Sequence, residues 1–187
     1  MLSTLPSRKR LRLKEYDYTQ AGAYFVTICT HMRSCLFGQV RDDEMLLSPA
    51  GLIVEQELLR SPLVRPTLQL DEFVVMPNHL HFIAVFAPEE ERTDQPLVPT
   101  GKVAPTLGNF LAQFKSIATK RMQAELKMTT GQIWQRGYYD HVIRDDEDLN
   151  RIRQYIIENP LAWALDTENP QARTPSPLDS SRVPGTP

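Results

Sequence analysis

The alternation of apolar and polar positions predicts two β-hairpins. Aromatic and β-branched residues are dense in Ala23–Thr30 and continue in Cys35–Val40 after a short polar turn, a pattern typical of paired strands. Leu68–Met76 and His79–Phe86 form a second such pair, with a Pro-Asn turn between them. We therefore expect four strands in the first half of the chain.

Three helices are predicted from capping residues and from apolar spacing. A Ser-Pro pair starts a helix over about residues 49–60. Apolar residues recur at helical spacing over residues 107–122. An acidic pair at 145–146 caps a final helix, which we expect to run through Glu158 and to end before Pro160.

An aromatic-rich strand is predicted over Ile133–Ile143, between the last two helices. The predicted order, ββαββαβα, fits the α+β class, with an antiparallel sheet and helices packed on one of its faces. Residues 20–166 form this folded domain. We expect a basic N-terminal arm over residues 1–19 and a disordered tail, rich in Pro, Ser and Thr, over residues 167–187.

Composition and charge limit the classes of function. With 187 residues, of which 41% are hydrophobic, the chain suffices for one substantial core. Its formal net charge of -2 provides no whole-protein positive field. Contacts to nucleic acid would therefore come from local basic strips. One strip lies in the arm and consists of Arg8, Lys9, Arg10, Arg12 and Lys14.

Cysteine spacing and apolar length exclude further classes. Cys29 and Cys35 lack the C-x-x-C spacing of redox and zinc sites and are too few for a disulfide scaffold. The N-terminus has no apolar signal region, and no apolar stretch is long enough to cross a bilayer. We therefore expect a cytoplasmic protein without a membrane partner.

His79 and His81 are the first candidates for chemistry. Successive side chains on a strand point to opposite faces, so the two histidines share one face while Leu80 points to the other. Two imidazoles in this arrangement can converge on one cation. An isolated His-x-His pair is more often an ordinary pair of hydrogen-bonded strand residues, so a metal site requires further ligands.

Tyr155 and Asn159 lie four residues apart on the last predicted helix and therefore share a face. The alternative interpretation is a boundary tyrosine beside the core and an asparagine that ends the helix before Pro160. Tyr138 and Tyr139 are competing nucleophiles. On a strand they point to opposite faces, so at most one of them could face the histidines.

Five segments together resemble the REP-associated tyrosine transposases of the HUH single-tyrosine superfamily. They occur in the family's order across about residues 20–165. The segments are Tyr24–Thr27, Val75–His81, Phe114–Ser116, Ile133–His141 and Tyr155–Pro160. Their combination is far more specific than the histidine pair or the tyrosine alone.

The resemblance implies a fold, a metal site and a reaction. The fold is a ferredoxin-like antiparallel sheet, with the histidine pair in mid-sheet opposite a helix that delivers the tyrosine. By resemblance, His79, His81 and Asn159 are metal ligands and Tyr155 is the nucleophile. The metal would be Mg2+ or Mn2+. The reaction would be cleavage and strand transfer of single-stranded DNA through a covalent 5′-phosphotyrosine.

The resemblance also implies a substrate, a hairpin of single-stranded DNA called a repetitive extragenic palindrome (REP), in a bacterial nucleoid. The protein would act as a monomer or a homodimer. His141 is a further candidate for a metal ligand or phosphate contact, although a lone strand histidine is more often structural. The candidate DNA contacts are Arg8, Lys9, Arg10, Arg12, Lys115 and Arg136, with Trp134 as a base-stacking surface.

Two other functions are compatible with parts of the sequence. A non-catalytic module that binds single-stranded nucleic acid would explain the basic arm and the aromatic residues, since RNA-recognition domains use a ferredoxin-like sheet with aromatics on it. It would leave the histidine pair and the Tyr155–Asn159 pair without a role. A zinc hydrolase would require an H-E-x-x-H motif or a cysteine pair beside the histidines, and the sequence has neither.

Overall fold

A computed structural model describes residues 22–87, 106–128, 131–166, 168–170 and 172 of the chain. Its six strands are β1 (Gly22–Cys29), β2 (Gly38–Arg41), β3 (Glu44–Leu47), β4 (Leu68–Val75), β5 (His79–Phe86) and β6 (Tyr139–Ile143). Its helices are α1 (Pro49–Val64), α2 (Leu107–Leu126) and α3 (Asp146–Ala162), with short 3-10 turns at His31–Arg33 and Trp163–Leu165. The predicted arm and most of the predicted tail lie outside the described residues.

Four strands form one antiparallel sheet in the order β4-β5-β1-β6. Strands β1 and β5 are therefore interior and pair with each other along their whole length, from Gly22 opposite Phe86 to Cys29 opposite His79. The predicted hairpin of β4 and β5 is confirmed. The α+β class and the antiparallel sheet are confirmed as well.

The first predicted hairpin is wrong. Strand β1 pairs with β5 and β6, whereas β2 pairs with β3, for which no strand was predicted. The turn between β2 and β3 consists of Asp42 and Asp43, and both have positive φ angles, 52° and 63°. Two such residues give the twist that a tight hairpin requires, and Asp enters the left-handed region more readily than most residues.

The helices lie on both faces of the sheet. Tyr24, Leu80 and Phe82 belong to the large core that α1 and α2 cover. The opposite face carries a smaller buried cluster with residues from α3, consisting of Phe25, Ile83, Ile152 and Ile156. The expectation of helices on one face holds for α1 and α2 and is wrong for α3, because interior strands with apolar residues on both faces require a cover on each.

Capping residues start all three helices where the sequence predicts. The side chains of Ser48, Thr106 and Asp145 each accept a hydrogen bond from the backbone N–H three residues later, at 3.1, 3.2 and 2.8 Å. Helix α3 runs past its predicted end, through Pro160 to Ala162. The helix therefore continues for three residues beyond Asn159.

The segment before β6 is only partly extended. Strand β6 starts at Tyr139 rather than at Ile133, and Trp134 forms a single antiparallel bridge with Thr30. Contacts also continue past the predicted domain end at residue 166, because the backbone carbonyl of Glu168 accepts a hydrogen bond from the folded core. None of the helices described has the length and apolar character needed to span a membrane.

Candidate active site

His79 and His81 lie on β5, on the face of the sheet that α3 covers. Leu80, between them, belongs to the core on the opposite face, as strand alternation requires. The two rings are 4.5 Å apart between centroids. Both side chains are deeply buried, with 0% of His79 and 4% of His81 exposed. Because β5 is an interior strand, the pair sits in mid-sheet.

Each histidine has one ring nitrogen in a hydrogen bond with a neighbouring polar side chain. His79 Nδ1 is 2.8 Å from Asn78 Oδ1, and His81 Nδ1 is 2.8 Å from Thr27 Oγ1. Thr27 lies directly opposite His81 in the pairing of β1 with β5. The Nε2 atoms are thereby left for other contacts.

Tyr155 reaches the histidines from α3. Its Oη atom lies 3.4 Å from His81 Nε2, at the long limit of a hydrogen bond. Phe25 holds both rings, since it stacks on His81 at 5.3 Å and meets Tyr155 edge-on at 5.9 Å. Ile152 and Ile156 anchor the helix on either side of the tyrosine. The structure therefore brings the proposed nucleophile to the histidine pair.

Asn159 completes the group one helical turn further on. Its side chain is 3% exposed. Burial lowers the pKa of His79 and raises that of Tyr155, and the Asn159 amide opposes burial in both cases. No hydrogen bond of ordinary geometry joins Asn159 to His79, because Asn159 Oδ1 and His79 Nε2 both lack a partner in the described structure. All four predicted residues lie together.

Burial decides the protonation states at this site. Desolvation lowers the pKa of His79 to about 4. Burial, followed by the charge of His79, holds the pKa of His81 well below its usual value. Burial raises the pKa of Tyr155, and the nearby Asp166 carboxylate adds to that effect. At neutral pH both imidazoles are therefore neutral and the phenol keeps its proton.

Comparison with known proteins gives this site a context. No protein-family model matches the chain. A protein of Haemophilus influenzae named "Uncharacterized protein" is 35% identical over 166 residues, which cover 85% of the chain and 91% of that protein. The chain belongs to the same family as this protein.

Two further proteins that are similar to the chain carry the name that the sequence motifs suggest. A "Putative REP-associated tyrosine transposase" of H. influenzae is 23% identical over 145 residues, 78% of the chain and 73% of that protein. The solved structure of a REP-associated tyrosine transposase bound to a REP hairpin matches with a TM-score of 0.50 and 19% identity, covering 80% of the chain and 73% of its own. The chain has the fold of a REP-associated tyrosine transposase. Its resemblance to these transposases is thereby confirmed.

The set of atoms at the site fits the Mg2+ or Mn2+ ion that the sequence resemblance implies. Buried polar atoms normally have partners, yet His79 Nε2 and Asn159 Oδ1 have none among the residues that the structure describes. Two neutral imidazoles and one amide oxygen suit Mn2+, or Mg2+ less well, with waters or a phosphate as the remaining ligands. No group of three or more His, Cys, Asp or Glu side chains able to hold a metal occurs among the described residues.

The other residues predicted to contact DNA differ in their exposure and in their partners. Trp134 is only 7% exposed and packs on Phe37 and Phe114, which does not fit a base-stacking surface. The Lys115 ammonium donates hydrogen bonds to the backbone carbonyls of Gln135, at 3.2 Å, and Gly137, at 2.6 Å. It thereby stabilises the loop before β6. Arg136 in the same loop is exposed.

His141 has a structural partner rather than a place at the site. Its Nε2 lies 2.7 Å from an Asp148 carboxylate oxygen in the first turn of α3. Further along the same helix, Arg153 donates two hydrogen bonds to Asp71 on the edge strand β4, at 2.7 and 2.5 Å. Helix α3 is therefore tied to both outer strands of the sheet.

Sequence reasoning missed Asn78 and Thr27, the partners of the two histidines. Asn78 was interpreted as a turn residue and Thr27 as an ordinary strand position. The position of Thr27 could have been found from the register of β1 on β5, but that register depends on long-range pairing. For Asn78, its place directly before His79 was the available signal.

Proposed function

We propose that the protein is a metal-dependent transposase that cleaves and rejoins single-stranded hairpin DNA through Tyr155. The observation that carries this proposal is the position of Tyr155 Oη, 3.4 Å from His81 Nε2. Beside it lie the two buried atoms without partners, on His79 and Asn159. A nucleophile thus lies next to a set of atoms suited to a cation.

The reaction is a transesterification at phosphorus. Tyr155 Oη forms a bond to the scissile phosphorus, and the bond from phosphorus to the 3′ oxygen breaks. The phenol loses its proton, the 3′ oxygen gains one, and the products are a 5′-phosphotyrosine and a free 3′-hydroxyl. Attack by a 3′-hydroxyl on the phosphotyrosine reverses the step and rejoins DNA. A bound Mn2+ or Mg2+ would neutralise charge on the phosphate.

The residues around Tyr155 orient it for this step. Phe25 and the isoleucines of α3 fix the ring, so attack requires no large rearrangement of the side chain. Because burial raises the pKa of Tyr155, the phenol enters the reaction protonated and must lose its proton as it attacks. The Asn159 amide, which lowers that pKa, favours this loss.

The alternative functions find less support in the structure. An RNA-recognition module would present aromatic residues on an open sheet face, but here Phe25 and Ile83 are buried under α3. A zinc hydrolase would use a third His, Cys, Asp or Glu ligand, and within the described residues no such cluster accompanies the histidines.

For the substrate we propose a REP-like hairpin, because the solved structure with the same fold is bound to a REP hairpin. With a net charge of -2, affinity for DNA would come from local basic residues. Arg136 is exposed and suited to a phosphate contact. The arm residues Arg8, Lys9, Arg10 and Arg12 lie outside the described residues. Action on the bacterial chromosome, by a monomer or a homodimer, stays a prediction.

The test is covalent capture of labelled DNA. A REP-like hairpin with single-stranded flanks, labelled at its 5′ or its 3′ end, is incubated with the protein and Mn2+ or Mg2+ and run on a denaturing gel. We expect the 3′-labelled fragment to stay on the protein and the 5′-labelled fragment to leave with a free 3′-hydroxyl. Excess chelator should abolish both products, and full activity in chelator would refute the metal requirement.

Two tyrosine variants make the assay specific. Tyr155→Phe should form no adduct while binding the hairpin as before. Tyr139→Phe is the matched control, because Tyr139 lies on the same face of the sheet and contacts Phe25 but is not part of the proposed site. An adduct that persists in Tyr155→Phe would exclude Tyr155 as the nucleophile.

A further inference from the structure

Asn78 is fully buried at the turn between β4 and β5, directly before His79. Its amide nitrogen donates hydrogen bonds to the backbone carbonyls of Arg33, at 3.2 Å, and Glu168, at 2.6 Å. Carbonyl oxygens accept only, so the nitrogen of the amide must face them. The amide oxygen must then face His79 Nδ1, at 2.8 Å.

This orientation fixes the position of the proton on His79. An amide oxygen accepts hydrogen bonds and cannot donate, so His79 Nδ1 must carry the hydrogen. A neutral imidazole has one N–H, so Nε2 is left with its lone pair. That Nε2 atom is one of the buried atoms without a partner. We infer that Asn78 is a positioning residue that holds His79 in its metal-binding tautomer, an inference that rests on the proposed metal-dependent function.

The opposite tautomer would be penalised at Nδ1. Its lone pair would face the lone pairs of the Asn78 amide oxygen, with no hydrogen between the two atoms. Rotation of the amide would relieve this contact, but it would turn an acceptor towards the carbonyls of Arg33 and Glu168. These two residues are joined by an ion pair of their side chains, so the carbonyl pair is itself held in place.

The turn also has hydrogen bonds that do not involve the Asn78 side chain. The backbone carbonyl of Asn78 accepts hydrogen bonds from the backbone N–H of Thr30, at 2.8 Å, and from its hydroxyl, at 3.0 Å. These contacts remain when the side chain is replaced. Variants at position 78 can therefore separate the tautomer of His79 from the shape of the turn.

The experiment combines two measurements on the full chain. Nitrogen-15 spectra of histidine-labelled, metal-free protein at pH 7.5 report which ring nitrogen of His79 carries the hydrogen. Electron paramagnetic resonance of free Mn2+ during a titration reports affinity for the metal alone. The variants are Asn78→Leu, which removes the acceptor towards His79, and Asn78→Asp, which keeps an acceptor there. Both remove the amide donor to the carbonyls of Arg33 and Glu168, so the acceptor is what distinguishes them. Asn109→Leu, at an exposed position on α2, is the control.

We expect the Nδ1–H tautomer in the wild type, in Asn78→Asp and in the control. Asn78→Leu should show a mixture of tautomers, and its affinity for Mn2+ should fall about 10- to 100-fold, the usual effect of losing a residue that orients a ligand. Wild-type affinity in a folded Asn78→Leu, or a hydrogen on Nε2 of His79 in the wild type, would overturn the inference.

The two proposals fail in different ways. If Asn78→Leu does not fold, the spectra of the wild type and of Asn78→Asp still decide, since loss of the Nδ1–H tautomer in Asn78→Asp contradicts the role of the acceptor. If the wild-type protein binds no Mn2+, the proposed metal-dependent function fails, while the tautomer of His79 still tests the position of its hydrogen.

Discussion

Burial gives His79 and His81 their suitability for a cation. Both rings lie under α3, and desolvation disfavours their charged forms. A neutral ring keeps a lone pair, whereas a protonated ring repels a cation. The same burial has a cost in stability at acidic pH, because both rings can take up protons once the chain unfolds.

This cost predicts a pH dependence of stability in metal-free protein. The pKa of His79 is about 4 in the folded chain and 6.5 in an exposed histidine. Between these values the unfolded chain binds more protons, so the free energy of unfolding decreases as the pH falls from 6.5 to 4, by roughly 3 kcal/mol for this residue. Urea unfolding in chelator across this range measures it.

His79→Gln should flatten that dependence, because glutamine does not titrate. His31→Gln is the control, since it removes a histidine that is exposed rather than buried. Equal slopes for His79→Gln and the wild type would contradict the buried neutral state of His79.

The residues that form the candidate site were predictable, but the partners of the two histidines were not. His79, His81, Tyr155 and Asn159 follow from local spacing and motif resemblance, and the fold brings them together. The hydrogen bond between His79 Nδ1 and the accepting Asn78 amide oxygen depends on the carbonyls of Arg33 and Glu168, which are far apart along the chain. Local patterns carry no information about such contacts.

Helix α3 is attached to the sheet by a small apolar cluster and by polar contacts at two sites. Ile152 and Ile156 are its buried apolar residues, whereas the other face of the sheet has a much larger core. Arg153 binds Asp71 on β4 through two hydrogen bonds. A bidentate pair of this kind fixes orientation as well as distance. The position of Tyr155 should therefore depend on Arg153.

We predict that Arg153→Met slows adduct formation by about tenfold or more, since a displacement of about 1 Å at a reacting group can cost up to about 100-fold. The free energy of unfolding should fall only slightly, because the pair is partly exposed and screened by solvent. Arg151→Met is the matched control. Arg151 pairs with Asp148 on its own helix and does not reach β4.

Rates of adduct formation at saturating hairpin, together with hairpin affinity, distinguish positioning from DNA binding. Arg153→Met should lower the rate and leave affinity within a few-fold of the wild type. If Arg153→Met and Arg151→Met have the same rate, the contact with Asp71 does not position the nucleophile.

Helices were easier to predict than strand pairing. Ser48, Thr106 and Asp145 cap the helices locally, so each start was readable from adjacent residues. The pairing of β1 with β5 and β6 joins segments distant in sequence. The Asp42-Asp43 turn was missed because it lacks the glycine that usually marks a two-residue hairpin turn.

At the scale of the molecule, the interior position of β1 and β5 gives the described residues two cores of unequal size. Strand β5 is buried at almost every position, which indicates a cover on both faces. That signal was present in its run of apolar residues, although the order of elements alone suggested helices on one face. The smaller core, under α3, is the one that contains the site, and this places the nucleophile on a helix that can be perturbed separately from the main core.

The identity of the nucleophile is tested most directly by mass spectrometry of the trapped adduct. Trypsin places Tyr155 in the peptide of residues 154–173 and both Tyr138 and Tyr139 in the peptide of residues 137–144, so one digest separates the candidates. After nuclease trimming, we predict a nucleotide 5′-phosphate on Tyr155. A nucleotide on Tyr138 or Tyr139, with Tyr155 unmodified, would contradict the proposed mechanism.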